Sequence, residues 1–99
     1  MLYAIIGRDA ENSLPARKAA RPAHLERLKE LQGQGRVVAA GPFPLADAPD
    51  TSGGVSGSLL LLEFDNLAAA QAWADADPYV AAGVYAEVTV KPFLKVFPE

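Results

Sequence analysis

The sequence predicts an α+β fold of order β-α-β-β-α-β, with one antiparallel sheet and both helices on a single face of it. Three observations lead there. Four short stretches rich in β-branched, aromatic and leucine side chains are bounded by turn-forming residues. Two stretches rich in Ala, Leu and long polar side chains fall after the first and after the third of them. The chain has 99 residues, enough for one hydrophobic core and too few for two.

The elements follow in order. LYAIIG, residues 2–7, reads as a strand, and RDAENSLP as a polar connection. From about Ala16 to Gln34 the residues are good helix formers, with Leu25, Leu28 and Leu31 on one face and Gly33 and Gly35 as stop signals. Pro22 deep in that helix would cost about 3 kcal/mol. Either the helix kinks there, or its regular part starts near Arg21 with Pro22 in the first turn. RVVAAGPF, residues 36–43, reads as a second strand ended by Pro42 and Pro44, and PLADAPDTSGG as a loop. VSGSLLLLEF, residues 55–64, is a third strand. Asp65 and Asn66 are helix N-caps for NLAAAQAWADA, whose stripe is Leu67, Ala70 and Ala74. Asp77-Pro78 breaks that helix, PYVAAG turns to Gly83, and a last strand runs from about Val84 to Phe97.

This order is the ferredoxin-like split βαβ arrangement. Its two right-handed crossovers put the first and third strands in the centre. Those strands are apolar on both sides: Tyr3 and Ile5 against Leu2, Ala4 and Ile6; Leu60, Leu62 and Phe64 against Leu59 and Leu61. Helices cover only one sheet face, so the other is an apolar patch that needs a cover. A second copy packed sheet to sheet by a two-fold axis is the simplest one. The expectation is a homodimer, a dimeric α+β barrel.

Composition narrows the function. With 51% apolar and 21% charged residues the chain is of the folded, globular type. It has no apolar run near the ~20 residues of a bilayer span and no basic stretch leading into an apolar one, so a cytoplasmic domain with no membrane contact is expected. The absence of cysteine excludes disulfides and thiolate chemistry, and a single histidine cannot build a His-rich metal site. A net charge of −3 argues against nucleic acid as partner. No Gly-rich phosphate loop or nucleophile elbow occurs.

The only histidine, His24, lies in RPAHLERL. Helical spacing puts Arg17, Arg21, His24, Leu28 and Leu31 along one stripe, apolar at its C-terminal end and basic at the other. His24 is at the boundary. That suits a general base facing a cleft, and equally a histidine merely satisfied at the edge of the core. Asp77 continues the Leu67–Ala70–Ala74 stripe by three residues. With Pro78 it also forms an ordinary N-cap and N1 pair for the next turn. The two roles are compatible, because a capping carboxylate can present its second oxygen to an imidazole and fix its tautomer. Arg17 and Arg21 suit a bidentate clamp on a carboxylate or a solvated helix face. Gly41, beside Pro42, would let a ligand approach the backbone or simply end the strand. Ser58 falls on the third strand near the same cleft. Tyr79 and Tyr85 could donate hydrogen bonds in the site, but near element ends such residues more often pack with a wet tip.

LYAIIGRD, RPAHLERL, VAAGP and above all DPYVAAGVYAEVTVKPF, residues 77–93, together resemble the YciI-like, or YCII-related, family of small bacterial proteins over nearly the whole length, as one domain of residues 1–99. The resemblance implies a dimeric α+β barrel and a pocket with a His–Asp dyad, which falls here on His24 and Asp77. Relatives by fold include muconolactone isomerase and a dehydrochlorinase. The expected activity is that of a cofactor-independent enzyme, isomerase- or lyase-like, moving a proton on a small acidic or phenol-derived compound. In that reading His24 is the acid/base, Asp77 its orienter, and Arg21, Gly41 and Ser58 hold the substrate. The alternative is a non-catalytic module of the same fold that binds a small metabolite.

Overall fold

The computed structural model describes all residues from Met1 to Glu99. Four strands form one antiparallel sheet: β1 (Leu2–Asp9), β2 (Val37–Pro44), β3 (Val55–Glu63) and β4 (Tyr85–Phe93). Three helices complete the chain: α1 (Leu14–Gly33), α2 (Leu67–Asp75) and the one-turn α3 (Pro78–Ala81). The strand order is β2-β3-β1-β4. The two most apolar strands are therefore central, as the crossover rule requires.

Register sorts the side chains by face. Tyr3 lies opposite Leu62 and Ile5 opposite Leu60. These four, with Phe64, Leu31 of α1 and Ala70 and Ala74 of α2, make the main core. A smaller cluster of Tyr79, Val84 and Tyr85 sits where α3 leads into β4, packed on Ala16 and Ala20 of α1. The second sheet face carries Ile6, Leu59, Leu61, Phe43 and Phe93. No part of this chain covers it: Ile6, Phe43 and Phe93 are exposed, and Leu59 and Leu61 are half-buried.

Four boundaries differ from the sequence reading, each for a physical reason. β1 runs on to Asp9, because the alternation Tyr3, Ile5, Gly7, Asp9 keeps every second residue facing the helices. α1 starts at Leu14 with Pro15 in its first turn. Pro15 thus has the place expected of Pro22, and the regular helix does not begin near Arg21. Pro22 lies inside α1 on its exposed side, where water can reach the Lys18 carbonyl left without an N–H donor. β2 passes through Pro42 and ends on Pro44, which an edge strand tolerates because one row of its N–H groups pairs with nothing. β4 stops at Phe93, whose partner is Leu2. Beyond it β1 offers no residue to pair with, so the strand does not reach Phe97.

α1 packs against α3 and only lightly against β2, which is exposed along almost its whole length. A cleft remains between the helix and this overhanging edge strand. The three buried residues of α1 are Arg17, His24 and Leu31, at intervals of seven. One stripe of the helix is therefore core at its C-terminal end and buried but polar at the other.

Candidate active site

His24 is held by a single carboxylate. Its Nδ1 lies 3.0 and 2.9 Å from Asp77 Oδ1 and Oδ2. Both side chains are sealed, 6% and 3% exposed. Asp77 Oδ1 also accepts the Tyr79 backbone N–H at 2.8 Å and so caps α3. The cap and the imidazole contact are one arrangement. Pro78 opens the helix at its first position, α3 sets the carboxylate, and the carboxylate sets the ring. An acceptor at Nδ1 requires the proton to be there. The other nitrogen, Nε2, has no hydrogen-bond partner in the protein, and His24 lines a cavity of about 130 Å³ in the cleft.

Tyr79 fixes the plane of the ring. The His24 and Tyr79 rings stack at 4.0 Å between centroids and 16° between planes. Tyr79 is 1% exposed, and its ring meets the edge of Tyr85 at 5.4 Å and 79°. Burial raises the pKa of both phenols, that of Tyr85 to about 12.

The model of the YCII-related domain matches residues 1–94. The chain belongs to the YCII-related family. It is 56% identical to protein YciI of Escherichia coli O6:H1 over 98% of this chain and the whole of that protein. It is 51% identical to an uncharacterized protein of Haemophilus influenzae over the same shares. Among solved structures it is similar to 5-chloro-2-hydroxyhydroquinone dehydrochlorinase (TftG) from Burkholderia phenoliruptrix AC1100, in complex with 2,5-dihydroxybenzoquinone. That likeness has a TM-score of 0.84 at 26% identity, over 95% of this chain and 94% of the other.

The remaining residues singled out in this YCII-related chain divide. Arg21, Gly41 and Ser58 all line the His24 cavity, with Leu25, Leu28 and Pro42 closing its apolar side. Gly41 sits on the exposed edge strand, and a Cβ there would meet nothing. Its value to the site is an accessible backbone, not room for a tight turn. Ser58 is 2% exposed and accepts a 2.9 Å hydrogen bond from Arg17 Nη2. Its own proton is left free for another acceptor.

Arg17 does not clamp a substrate carboxylate, as its place on the stripe had suggested. Its Nε and Nη2 each donate to Asp9 at 2.8 Å, in a fork with side chains 9% and 4% exposed. Burial alone would lower the guanidinium pKa, but the bonds and charge of Asp9 more than offset this and raise it. The guanidinium lies 4.7 Å from the centre of the Tyr79 ring. Asp9, Tyr79 and Tyr85 are thus parts of the site that the sequence reading did not assign to it. For Asp9 the signal was present in the strand alternation, had β1 been carried two residues further. For the tyrosines nothing local in the sequence marks the stack.

Tyr85 depends on a bare backbone. A Cβ at Gly7 would strike its ring, and one at Gly57 would strike the Gly7 carbonyl. Gly7 therefore makes room for the phenol, while Gly57 is required by the close approach of the two strands themselves. Its hydroxyl is buried without a hydrogen-bond partner.

A larger hollow, about 380 Å³, lies at the β1–α1 connection, between Arg8, Glu11, Asn12 and Leu45. It is open, and the one sealed carboxylate that reaches its wall, Asp9, has both oxygens held by Arg17; no imidazole lines it. The chemistry converges on the smaller cavity.

Proposed function

We propose that this protein is a cofactor-independent enzyme that moves a proton on a small acidic or phenol-derived molecule. The observation that carries the reading is the asymmetry of His24. One ring nitrogen is tied to a sealed carboxylate, and the other faces a cavity without a partner. In that state Nε2 is a base aimed into the cleft. Asp77 stabilises the imidazolium that forms when it takes a proton. Ser58, with its hydroxyl proton free, and Arg21 hold the negative charge that develops on the substrate, together with backbone N–H groups near Gly41.

TftG, by its name, removes chloride from a hydroxyhydroquinone. In a loss of HCl from such a ring, a hydroxyl proton is taken as its electron pair forms a carbon–oxygen double bond and the chlorine-bearing ring carbon takes a proton. Loss of a second hydroxyl proton then forms another carbon–oxygen double bond, and chloride leaves with the carbon–chlorine pair to give a quinone. An isomerase returns the proton to another carbon instead. The His24 arrangement serves either.

The bare sheet face belongs to the same reading. Ile6, Leu59, Leu61, Phe43 and Phe93 form an apolar surface that a second copy of the chain would cover, giving the dimeric barrel. Sedimentation of the protein and of Leu61→Asp tests this: a dimer becoming a folded monomer is expected. A wild-type monomer at micromolar concentration refutes it.

The functional test uses chlorinated and unchlorinated hydroxyhydroquinones and small enol lactones, followed by chloride release and absorbance. Conversion by the wild type and none by folded His24→Gln is expected. Undiminished turnover by that variant refutes the role of His24. Saturable binding with no conversion of any of these would leave a metabolite-binding module instead.

A further inference from the structure

The His24 cavity is the inner end of a longer cleft. A second hollow of about 300 Å³, lined by Leu14, Arg17, Lys18, Arg21, Pro42, Thr51 and Val55, shares Arg17, Arg21 and Pro42 with it. Inner and outer chambers are thus contiguous along α1. Together they reach the size of small-ligand sites, which the inner chamber alone does not.

The charge in this cleft is one-sided. No aspartate or glutamate lines either chamber. Of the three cations, Arg17 is neutralised by Asp9. Lys18 and Arg21 are exposed and have neither an ion pair nor a hydrogen bond within the chain. No acidic residue lies three or four positions from either on α1. Their neighbours at those spacings are Leu14, Pro15, Arg17, His24, Pro22 and Leu25, and each other. Like charges at such spacings repel. Asp50, beside Thr51 in the loop opposite, is turned to Ser52, whose hydroxyl and N–H its Oδ1 accepts; it does not line the chamber and makes no ion pair with Lys18 or Arg21.

We infer that the cleft takes a two-ended substrate. Its reacting end lies at His24, and a second anionic group, a carboxylate on a short arm, lies in the outer chamber on Lys18 and Arg21. This rests on the proposed role of the His24 cavity and adds what lies outside it. The helix sets the length. Arg21 is one turn from His24, and Lys18 is six residues away, roughly 9 Å along the axis. A bare ring fills the inner chamber only. A ring with a carboxymethyl or carboxyethyl arm spans both. Lys18, which lines only the outer chamber, is then a specificity residue reading the arm and not the reaction, and Arg21, shared by both chambers, serves both ends.

Two probes separate the ends: hydroquinone, and the same ring carrying a carboxymethyl arm. Their Kd values are measured by calorimetry, with the His24 ring signals followed by NMR to confirm that the inner chamber is occupied. The wild type is expected to prefer the armed probe about fivefold, the size of one exposed ion pair, and the preference should shrink as salt is raised. In Lys18→Gln and Arg21→Gln the ratio of the two Kd values should fall toward one. A ratio is read so that any general weakening cancels. If both probes move the His24 signals but bind equally, or if the preference survives both variants, the outer subsite is refuted and the inner one stands. If neither probe moves those signals, the reading of the inner cavity fails and takes the subsite with it.

Discussion

Asp77→Asn isolates the tautomer from the fold. The variant keeps an oxygen that can accept the Tyr79 N–H, so the α3 cap survives. What it cannot keep is a full acceptor at His24 Nδ1. Its amide N–H₂ must either face that nitrogen as a donor or give up the cap. The favoured outcome is an imidazole turned to the other tautomer, with Nδ1 accepting and Nε2 carrying the proton into the cavity. The structural cost is modest. A hydrogen bond to a charged acceptor is worth about 1.5–3 kcal/mol and a neutral one about 1, so about 1–2 kcal/mol should be lost. At this chain length that lowers Tm by roughly 5–15 °C. Asp77→Ala is a poorer test. It removes the cap, about 1 kcal/mol, and strands two buried donors at about 1–3 kcal/mol each, a large share of a small domain's stability. The assay for Asp77→Asn is nitrogen NMR of the imidazole. The chain has one histidine, so both ring signals belong to His24, and couplings to the two carbon-bound ring protons tell Nε2 from Nδ1. On the neutral limb of the titration the wild type should show a protonated Nδ1 and a bare Nε2, and the variant the reverse. The corresponding tautomer error costs on the order of 10⁴-fold in serine proteases, and a loss of that order in any conversion found is expected here. A wild type with its proton on Nε2, or a variant with unchanged signals, would refute the argument that Asp77 sets the base.

Asp9→Asn should be among the most damaging single changes, because it leaves the Arg17 guanidinium buried and unpaired. About 3–5 kcal/mol is expected, read as the shift in a urea midpoint, and Arg17→Met in the Asp9→Asn background should recover part of it. Gly7→Ala should lose about 1–3 kcal/mol by overpacking against the Tyr85 ring, with altered near-UV dichroism reporting the displaced ring. Tyr85→Phe should be neutral or stabilising by up to about 1–2 kcal/mol, since it removes a buried hydroxyl that has no partner. Tyr85 also governs alkaline stability. Its phenol is raised from 10.0 to about 12, so the fold holds that proton more tightly than the unfolded chain does. The contribution is whole below pH 10 and is lost as pH climbs from 10 toward 12. Two pKa units correspond to about 3 kcal/mol, so the stability lost between pH 10 and 12 should be smaller by about that amount in Tyr85→Phe, the buried Tyr79 phenol keeping a residual link between tyrosinate absorbance and unfolding.

Much of this molecule is legible in its sequence, and the illegible parts share a cause. Strand and helix positions follow from local periodicity, and the central place of β1 and β3 from their apolar character on both sides. The pairing of His24 with Asp77 was expected from the family resemblance, and the cap role of Asp77 from Asp-Pro alone. The Asp9–Arg17–Ser58 chain was not, because its members come from three elements and meet only when β1, α1 and β3 are assembled. Arg17 sits on the same stripe as Arg21, and spacing cannot distinguish them. What distinguishes them is the length of β1, two residues beyond its apolar run, which delivers a carboxylate to one arginine and not to the other. The Gly7–Tyr85 contact was hidden similarly: a glycine at the end of an apolar strand reads as a terminus, and only the fold shows a ring lying on it.

Two carboxylates organise this site, and neither faces the cavity. Asp77 stands behind His24 and Asp9 behind Arg17. Each fixes a basic group whose other side is turned inward: an imidazole nitrogen in one case, and in the other a guanidinium that donates to Ser58. Tyr79 ties the two arms together, stacked on His24 and under Arg17. The wall presented to a ligand therefore carries one bare imidazole nitrogen among donors and positive charge, with the anions one layer back. Such an arrangement disfavours a cationic ligand at both ends of the cleft and favours an anion whose charge grows as a proton leaves it. The stripe Arg17–His24–Leu31 is buried although two of its three residues are polar. A stripe selected for packing alone would carry leucine at all three positions. The cost of burying Arg17 and His24 is accepted at the two places where each has a carboxylate behind it and the cleft in front.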